Sequence, residues 1–219
     1  MGKVKYRKPY RSPKRAEQLD ATRRRILDVA RKLFGDRGYA GTTIEAIATE
    51  SGLAVPTVYK NFGNKRRLLL DLIDQTINVR VPSLQKAAQA ESTPRASLDA
   101  IARMCVSLAS GAGDVVSILV GASGADPKLG SMVAKMAEGR RRNAGLIARS
   151  LARGRALRIG CDEVQAQDVI YAMAGPEMYE LLVVRSGWSD EQFARWLSDS
   201  LAVLLLNDSA NKGAGTNTG

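Results

Sequence analysis

The chain of 219 residues contains no histidine. That absence removes the most frequent general base, the most frequent metal ligand and every Ser-His or Cys-His nucleophile pair. Cysteine is almost as scarce: Cys105 and Cys161 stand alone, too few and too far apart for a disulfide framework or a cysteine zinc site. Both are expected to be small core thiols. No metal site, cofactor or catalytic residue is expected, and the chain does not read as an enzyme. The glutamate pair Glu177 and Glu180 has the spacing of a solvated helix face. Long apolar runs are missing too. The longest, Leu201 to Leu206, has six residues, where a membrane-spanning helix needs about 20. Neither a spanning helix nor a secretory leader is expected, so the chain reads as cytoplasmic, with no membrane partner.

Positive charge is abundant and unevenly placed. The net charge of +11 points to an anionic partner. Residues 1–80 hold 18 Lys and Arg against 8 Asp and Glu, whereas residues 81–219 hold 15 against 14. A basic front followed by a neutral remainder is the footprint of a nucleic-acid-binding or membrane-surface part joined to a part with another task. Seven cations, Lys3, Lys5, Arg7, Lys8, Arg11, Lys14 and Arg15, fall among almost no aliphatic residues. Residues 1–19 are therefore expected to be a disordered basic arm, and residues 209–219 a disordered tail.

Between these ends alanine is plentiful and apolar residues recur at spacings of three and four, which predicts an all-α chain. Val115 to Val120 is the one strand-like stretch and is read as buried helix. A first helix is expected from about Thr22 to Arg37, with Ile26, Val29, Ala30, Leu33 and Phe34 inward and Gly38 as its stop. A second short helix opens at Thr42-Thr43-Ile44-Glu45, where Thr42 and Glu45 have capping-box spacing, and ends at Ser51-Gly52. The third starts at Ala54 or Val55, carries Pro56 in its first turn and ends near Phe62-Gly63. Asn64 is expected to cap a fourth that runs to about Arg80. Two short helices joined by a glycine-containing turn form a helix-turn-helix, a weak signal by itself.

The full string from residue 22 to 73 resembles the TetR family of bacterial transcriptional regulators. The resemblance rests on Ile26-Leu27, Ala30, Leu33-Phe34, Gly38-Tyr39, Thr42-Thr43, Ile47-Ala48, Gly52-Leu53, Pro56-Thr57-Val58-Tyr59, Phe62 and Lys65-Leu68-Leu69. Ala54 departs from the pattern, because the family usually places a serine or similar cap there. The resemblance implies a three-helix DNA-binding domain at 20–66 and a helical ligand-binding and dimerisation domain at 67–208. It implies double-stranded operator DNA, a second copy of the chain and a small-molecule effector of unknown identity as partners. Val55, Pro56, Thr57, Lys60 and Asn61 would face bases. Valine, proline and the threonine methyl can touch thymine methyls, lysine suits guanine, and asparagine suits adenine or a phosphate. Thr42, Thr43, Tyr59 and Lys65 would hold phosphates, with Thr42 open to a purely capping role.

Caps are expected at Thr93, Asp126, Asp162 with Gln165, and Ser189 with Gln192. A long helix after Asp126 places Leu129, Met132, Val133, Met136, Ala137, Ala144, Ile147, Ala148 and Leu151 on one stripe, interrupted by a solvated run, Arg140 to Arg142. In the final helix Phe193, Trp196, Leu197, Leu201, Leu204 and Leu205 form more apolar surface than one protomer covers, so they are expected at a homodimer interface, the family's arrangement. An effector pocket is expected beside Pro176, taken to break the penultimate helix, with Met104, Leu108, Met132, Met136, Tyr171, Met173, Glu177 and Tyr179 as candidate lining. The implied function is a ligand-responsive regulator, a repressor released from a palindromic operator by a lipophilic effector. The alternative is an effector-free architectural DNA-binding protein.

Overall fold

The computed structural model describes residues 13–78, 91 and 93–212. Helices account for nearly all of these residues, and no strand occurs among them; one isolated antiparallel bridge joins Leu157 to Leu206. The chain divides into two compact units, Met1–Leu72 and Ile73–Gly219. The expected junction at residues 66–67 falls inside a continuous helix, α4 (Lys65–Ile73).

The first unit holds α1 (Pro13–Gly41), α2 (Ile44–Glu50), α3 (Val55–Phe62) and most of α4. Helix α1 begins well before Thr22, because Pro13 suits a first helical position and Ala16, Glu17, Gln18 and Leu19 favour helix. Residues 13–19, expected within the arm, are thus helical, while the arm's residues 1–12 lie outside those described. Gly38 interrupts α1 with φ of 70° and ψ of 164°, where the glycine stop was expected. Ile26, Leu27, Ala30, Leu33 and Phe34 are buried together with Ile44, Ile47, Ala48, Val58, Phe62, Leu68, Leu69 and Leu72. Alignment of these apolar faces fixes the order of the short helices.

The second unit is built from α5 (Pro94–Ser123), α6 (Pro127–Arg153), α7 (Glu163–Met173), α8 (Pro176–Tyr179), α9 (Asp190–Leu205) and α10 (Asp208–Lys212). Single π-helical stretches, Asp74–Asn78 and Glu180–Arg185, continue α4 and α8. All four expected caps are present: Thr93 accepts from Ala96 N at 3.2 Å and Asp126 from Lys128 N at 2.9 Å, and Asp162 with Gln165 and Ser189 with Gln192 form reciprocal capping boxes. Val115 to Val120 is helical, as its lack of a pairing partner predicts.

Three expectations change here. Pro176 does not break a helix from within; it opens α8, after α7 has ended at Met173, because its missing N–H is harmless at a first turn. Residues 209–212 are helical rather than tail, since Asn207 Oδ1 accepts from Ala210 N at 2.9 Å and starts a new turn. Helix α5 is long and apolar enough, by length and composition, to cross a membrane. The six-residue run limit missed it because alanine, glycine and serine are interspersed among its larger apolar residues. In this unit α5 turns Leu98, Ile101, Ala102, Val115 and Leu119 into the protein interior.

The core of the second unit is closed by α9. Phe193, Leu197, Leu201 and Leu205 are completely buried among Leu98 and Ile101 of α5, Ala148 and Leu151 of α6, and Ala166 and Ile170 of α7. Beyond α9 the chain is pinned to the loop after α6: Arg158 N donates to Leu205 O and Asn207 N to Ala156 O, each at 2.9 Å, and Asn207 Nδ2 donates to Arg155 O at 2.8 Å.

Candidate nucleic-acid interface

Helices α2 and α3 are joined by Ser51-Gly52-Leu53-Ala54. Gly52 has φ of +63°, a conformation that disfavours any other residue. Ser51 is buried and its hydroxyl donates to Ala48 O at 3.1 Å, which fixes the exit from α2. Helix α3 starts without a side-chain cap, as Ala54 predicts. Two buried side chains, Val58 and Phe62, anchor it. The opposite edge is turned outward: Pro56, Tyr59 and Lys60 are exposed, and Val55, Thr57 and Asn61 are half-buried. One helix therefore offers an aliphatic group, a hydroxyl, a phenol and an ammonium along one edge, the mixture that groove contacts use.

The expected phosphate-binding residues separate into two groups. Thr43 is exposed and is the true cap of α2, its Oγ1 accepting from Ala46 N at 3.1 Å. Thr42 is not the cap and not a surface group. It is fully buried, and its hydroxyl donates to Leu33 O at 3.0 Å and Gly38 O at 2.9 Å, so its side chain ties the end of α1 down instead of facing an anion. Inward Ile44, Ile47 and Ala48 decide the matter, because they set the phase of α2 one residue later than the sequence spacing suggested.

Lys65 is partly withdrawn into the protein. Its Nζ donates to Tyr39 O at 2.7 Å and Thr42 O at 2.8 Å and stands 4.5 Å above the centre of the Tyr39 ring. Burial holds its pKa below the ordinary lysine value. With two of three ammonium protons committed, one remains for a ligand. Asn61 has a similar double life, since its Nδ2 donates to Thr57 O at 2.8 Å.

Sequence reasoning missed Arg23. Its Nη1 donates to Asn61 O at 2.8 Å, its guanidinium lies 4.4 Å from the Phe62 ring centre, and its Nη2 pairs with Asp71, which Arg67 Nε also meets at 2.9 Å. The Arg67–Asp71 spacing of four residues was legible as a helix pair. Nothing local signals Arg23.

In the second unit, the residues expected to line an effector pocket differ in exposure and in partners. Met104, Leu108, Met132, Met136, Tyr171 and Met173 are half-buried. Tyr179 OH donates to Asp190 Oδ1 at 2.6 Å, and its ring meets Phe193 edge-on. Glu177 is exposed and pairs with Arg140 at 3.4 Å. The run Arg140 to Arg142, expected only to be solvated, is engaged: Arg140 and Arg141 flank the Tyr171 ring at 5.2 and 5.6 Å, and Arg141 pairs with Asp168 at 2.6 Å. A surface depression of about 390 Å³ is lined by Met173, Asp199, Ser200, Val203 and Leu204; of the eight candidates, Met173 borders it.

The expected dimer residues also divide. Phe193, Leu197, Leu201 and Leu205 are unreachable by a partner, because the unit's own core consumes them. Trp196 is half-buried and Leu204 is 42% exposed, and Val203, absent from the expected set, is 64% exposed.

Residues 26–72, which span the helix-turn-helix, match the family model of bacterial regulatory proteins of the TetR family. Its helix-turn-helix is that of the TetR family. The chain is 28% identical over 166 residues to the HTH-type transcriptional regulator YdeS of Bacillus subtilis, covering 75% of this chain and 80% of that protein. Over 60 residues it is 37% identical to the HTH-type transcriptional repressor NicS of Pseudomonas putida, 27% of this chain and 28% of NicS. Three solved structures share the TetR-family fold at low identity. NalD, the secondary repressor of the MexAB-OprM multidrug efflux pump in Pseudomonas aeruginosa, superposes with a TM-score of 0.72 at 19% identity, covering 88% of this chain and 99% of NalD. A transcriptional regulator from Saccharomonospora viridis in complex with choline gives 0.71 at 19%, covering 86% and 99%. FadR from Bacillus subtilis in complex with stearoyl-CoA gives 0.67 at 17%, covering 81% and 96%. The chain is a transcriptional regulator with a DNA-binding helix-turn-helix.

Proposed function

We propose that this TetR-family regulator is a homodimeric repressor that leaves a palindromic operator when a small lipophilic effector binds its second unit. The outward edge of α3 carries the reading: Val55, Pro56, Thr57, Lys60 and Asn61 meet bases, while Thr43, Tyr59 and the remaining proton of Lys65 hold phosphates. The first unit then does the DNA binding and the second the sensing and pairing, in the bacterial cytoplasm where the operator lies.

Dimerisation is assigned to the outer side of α9, with exposed Val203 and Leu204 and half-buried Trp196, and to exposed Leu181 and Val184 of the π-helical stretch. Large aliphatic groups placed together on a surface are covered in most proteins, and a twofold pair presents two recognition helices to successive major grooves. Effector control is supported by the choline and stearoyl-CoA complexes of proteins sharing the fold, with Met104, Leu108, Met132, Met136, Tyr171, Met173, Glu177 and Tyr179 as the lining to be tested. Selection from a random duplex library with the purified full chain is expected to return an inverted-repeat consensus. Recovery of unenriched DNA would overturn the operator reading and favour an architectural role.

A further inference from the structure

Helix α1 carries three consecutive arginines, and the fold uses each differently. Arg23 is spent inside the first unit on Asn61, Phe62 and Asp71. Arg24 and Arg25 are exposed, and neither has a hydrogen-bond or ion-pair partner among the described residues. Arg25 nonetheless has a fixed neighbour. Its Nη2 lies against the backbone of Gly52, so close that a Cβ there would stand 3.0 Å from it. Ile26 and Leu27, next in the helix, are almost wholly buried, so the side chain springs from a rigid base.

Laying an exposed arginine across a turn without a carboxylate orders a long side chain for little return. A nearby acid, Glu50 at the end of α2, is engaged by Lys32 at 3.9 Å. Gly52 lies two residues before Ala54, where the recognition helix begins. In a docked helix-turn-helix this end of the second helix sits in the major groove, with the phosphates of the groove wall alongside. A guanidinium offers a planar fork of donors that fits two phosphate oxygens.

We infer that Arg25, held over Gly52, is a further DNA-phosphate contact of this protein, one that the edge of α3 does not supply. Gly52 then has two reasons to be glycine: its positive φ, and the room it leaves for the guanidinium. The contact adds affinity and register without reading sequence.

The inference rests on the DNA-binding reading, and the test separates the two. Operator affinity is measured from low to high salt for the full chain, Arg25→Gln, Arg25→Lys and Arg24→Gln, with thermal melts for each. Arg25→Gln is expected to lower the slope of log affinity against log salt by about 0.9 per bound protomer, with unchanged melting and an unchanged ranking of DNA sequences. Arg25→Lys and Arg24→Gln are expected to keep the wild-type slope. An Arg25→Gln slope equal to wild type, an equal loss in Arg24→Gln, or a new consensus sequence each overturns the contact while leaving DNA binding intact. A wild-type chain that binds no DNA at any salt overturns both.

Discussion

Arg23 and Asp71, forty-eight residues apart, form an ion pair that also reaches the last carbonyl-bearing turn of the recognition helix through Asn61. The Asp71 side chain is 9% exposed and serves two arginines, whereas Arg67 is 62% exposed. The carboxylate is therefore the vulnerable member.

Asp71→Asn is expected to destabilise the first unit by about 1–3 kcal/mol, because it strips charge from a nearly buried junction and leaves Arg23 unpaired. Arg67→Gln, removing an exposed partner, is expected to cost less than about 1 kcal/mol. Urea melts followed by circular dichroism compare the two; equal losses would show that Asp71 is held by something other than Arg23.

Tyr59→Phe is expected to weaken binding to every DNA sequence by a similar factor, and Lys60→Ala to shift sequence preference. Selection from a random library with each variant checks this. A new consensus for Tyr59→Phe would exchange the two roles. Lys65→Met is expected to lower the melting temperature as well as DNA affinity, since two of its donors hold Tyr39 and Thr42.

Val203→Asp combined with Leu204→Asp is expected to give folded monomers, because both side chains are exposed on α9. Leu201→Ala, at a fully buried position, is expected to lose about 2–5 kcal/mol of stability instead. Light scattering and melting curves of the two variants distinguish interface from core. An unchanged dimer in the double variant would move the interface away from this face.

The Tyr179 phenol is pushed up to about 12 by burial and by donating to the Asp190 carboxylate, whose charge opposes a phenolate. A raised pKa in the fold means that its stabilising contribution is fully present below the ordinary tyrosine value near 10 and is lost as pH rises through about 12. Absorbance titration of the wild type minus Tyr179→Phe is expected to show one late-ionising tyrosine. A difference curve centred near 10 would mean that the bond to Asp190 does not form in solution.

Legibility followed the range of the interactions. Caps such as Asp162 with Gln165 and Ser189 with Gln192 are settled within four residues, and the sequence spells them out. The outward edge of α3 was likewise readable, because Val58 and Phe62 set its phase. Thr42 and Thr43 are alike in chemistry, so only burial of Ile44 and Ile47 could tell cap from core. In α9, apolar side chains pointing inward and outward share one composition, and the split between Leu201 and Val203 depends on which of them α5 and α7 reach. The three α1 arginines are indistinguishable as letters; Asp71 and Gly52 give two of them their places.

The closing of the second unit by α9 also orders events on the ribosome. Among the described residues, the buried side chains of the first unit lie between Ile26 and Leu72, so the last of them is synthesised before any of α5 to α9. The second unit waits for Phe193, Leu197, Leu201 and Leu205, and for Asn207 to fasten the loop after α6. A nascent chain of this protein thus carries the whole helix-turn-helix long before its second unit can close, and a message cut short before Leu206 yields the first unit beside an unclosed second one.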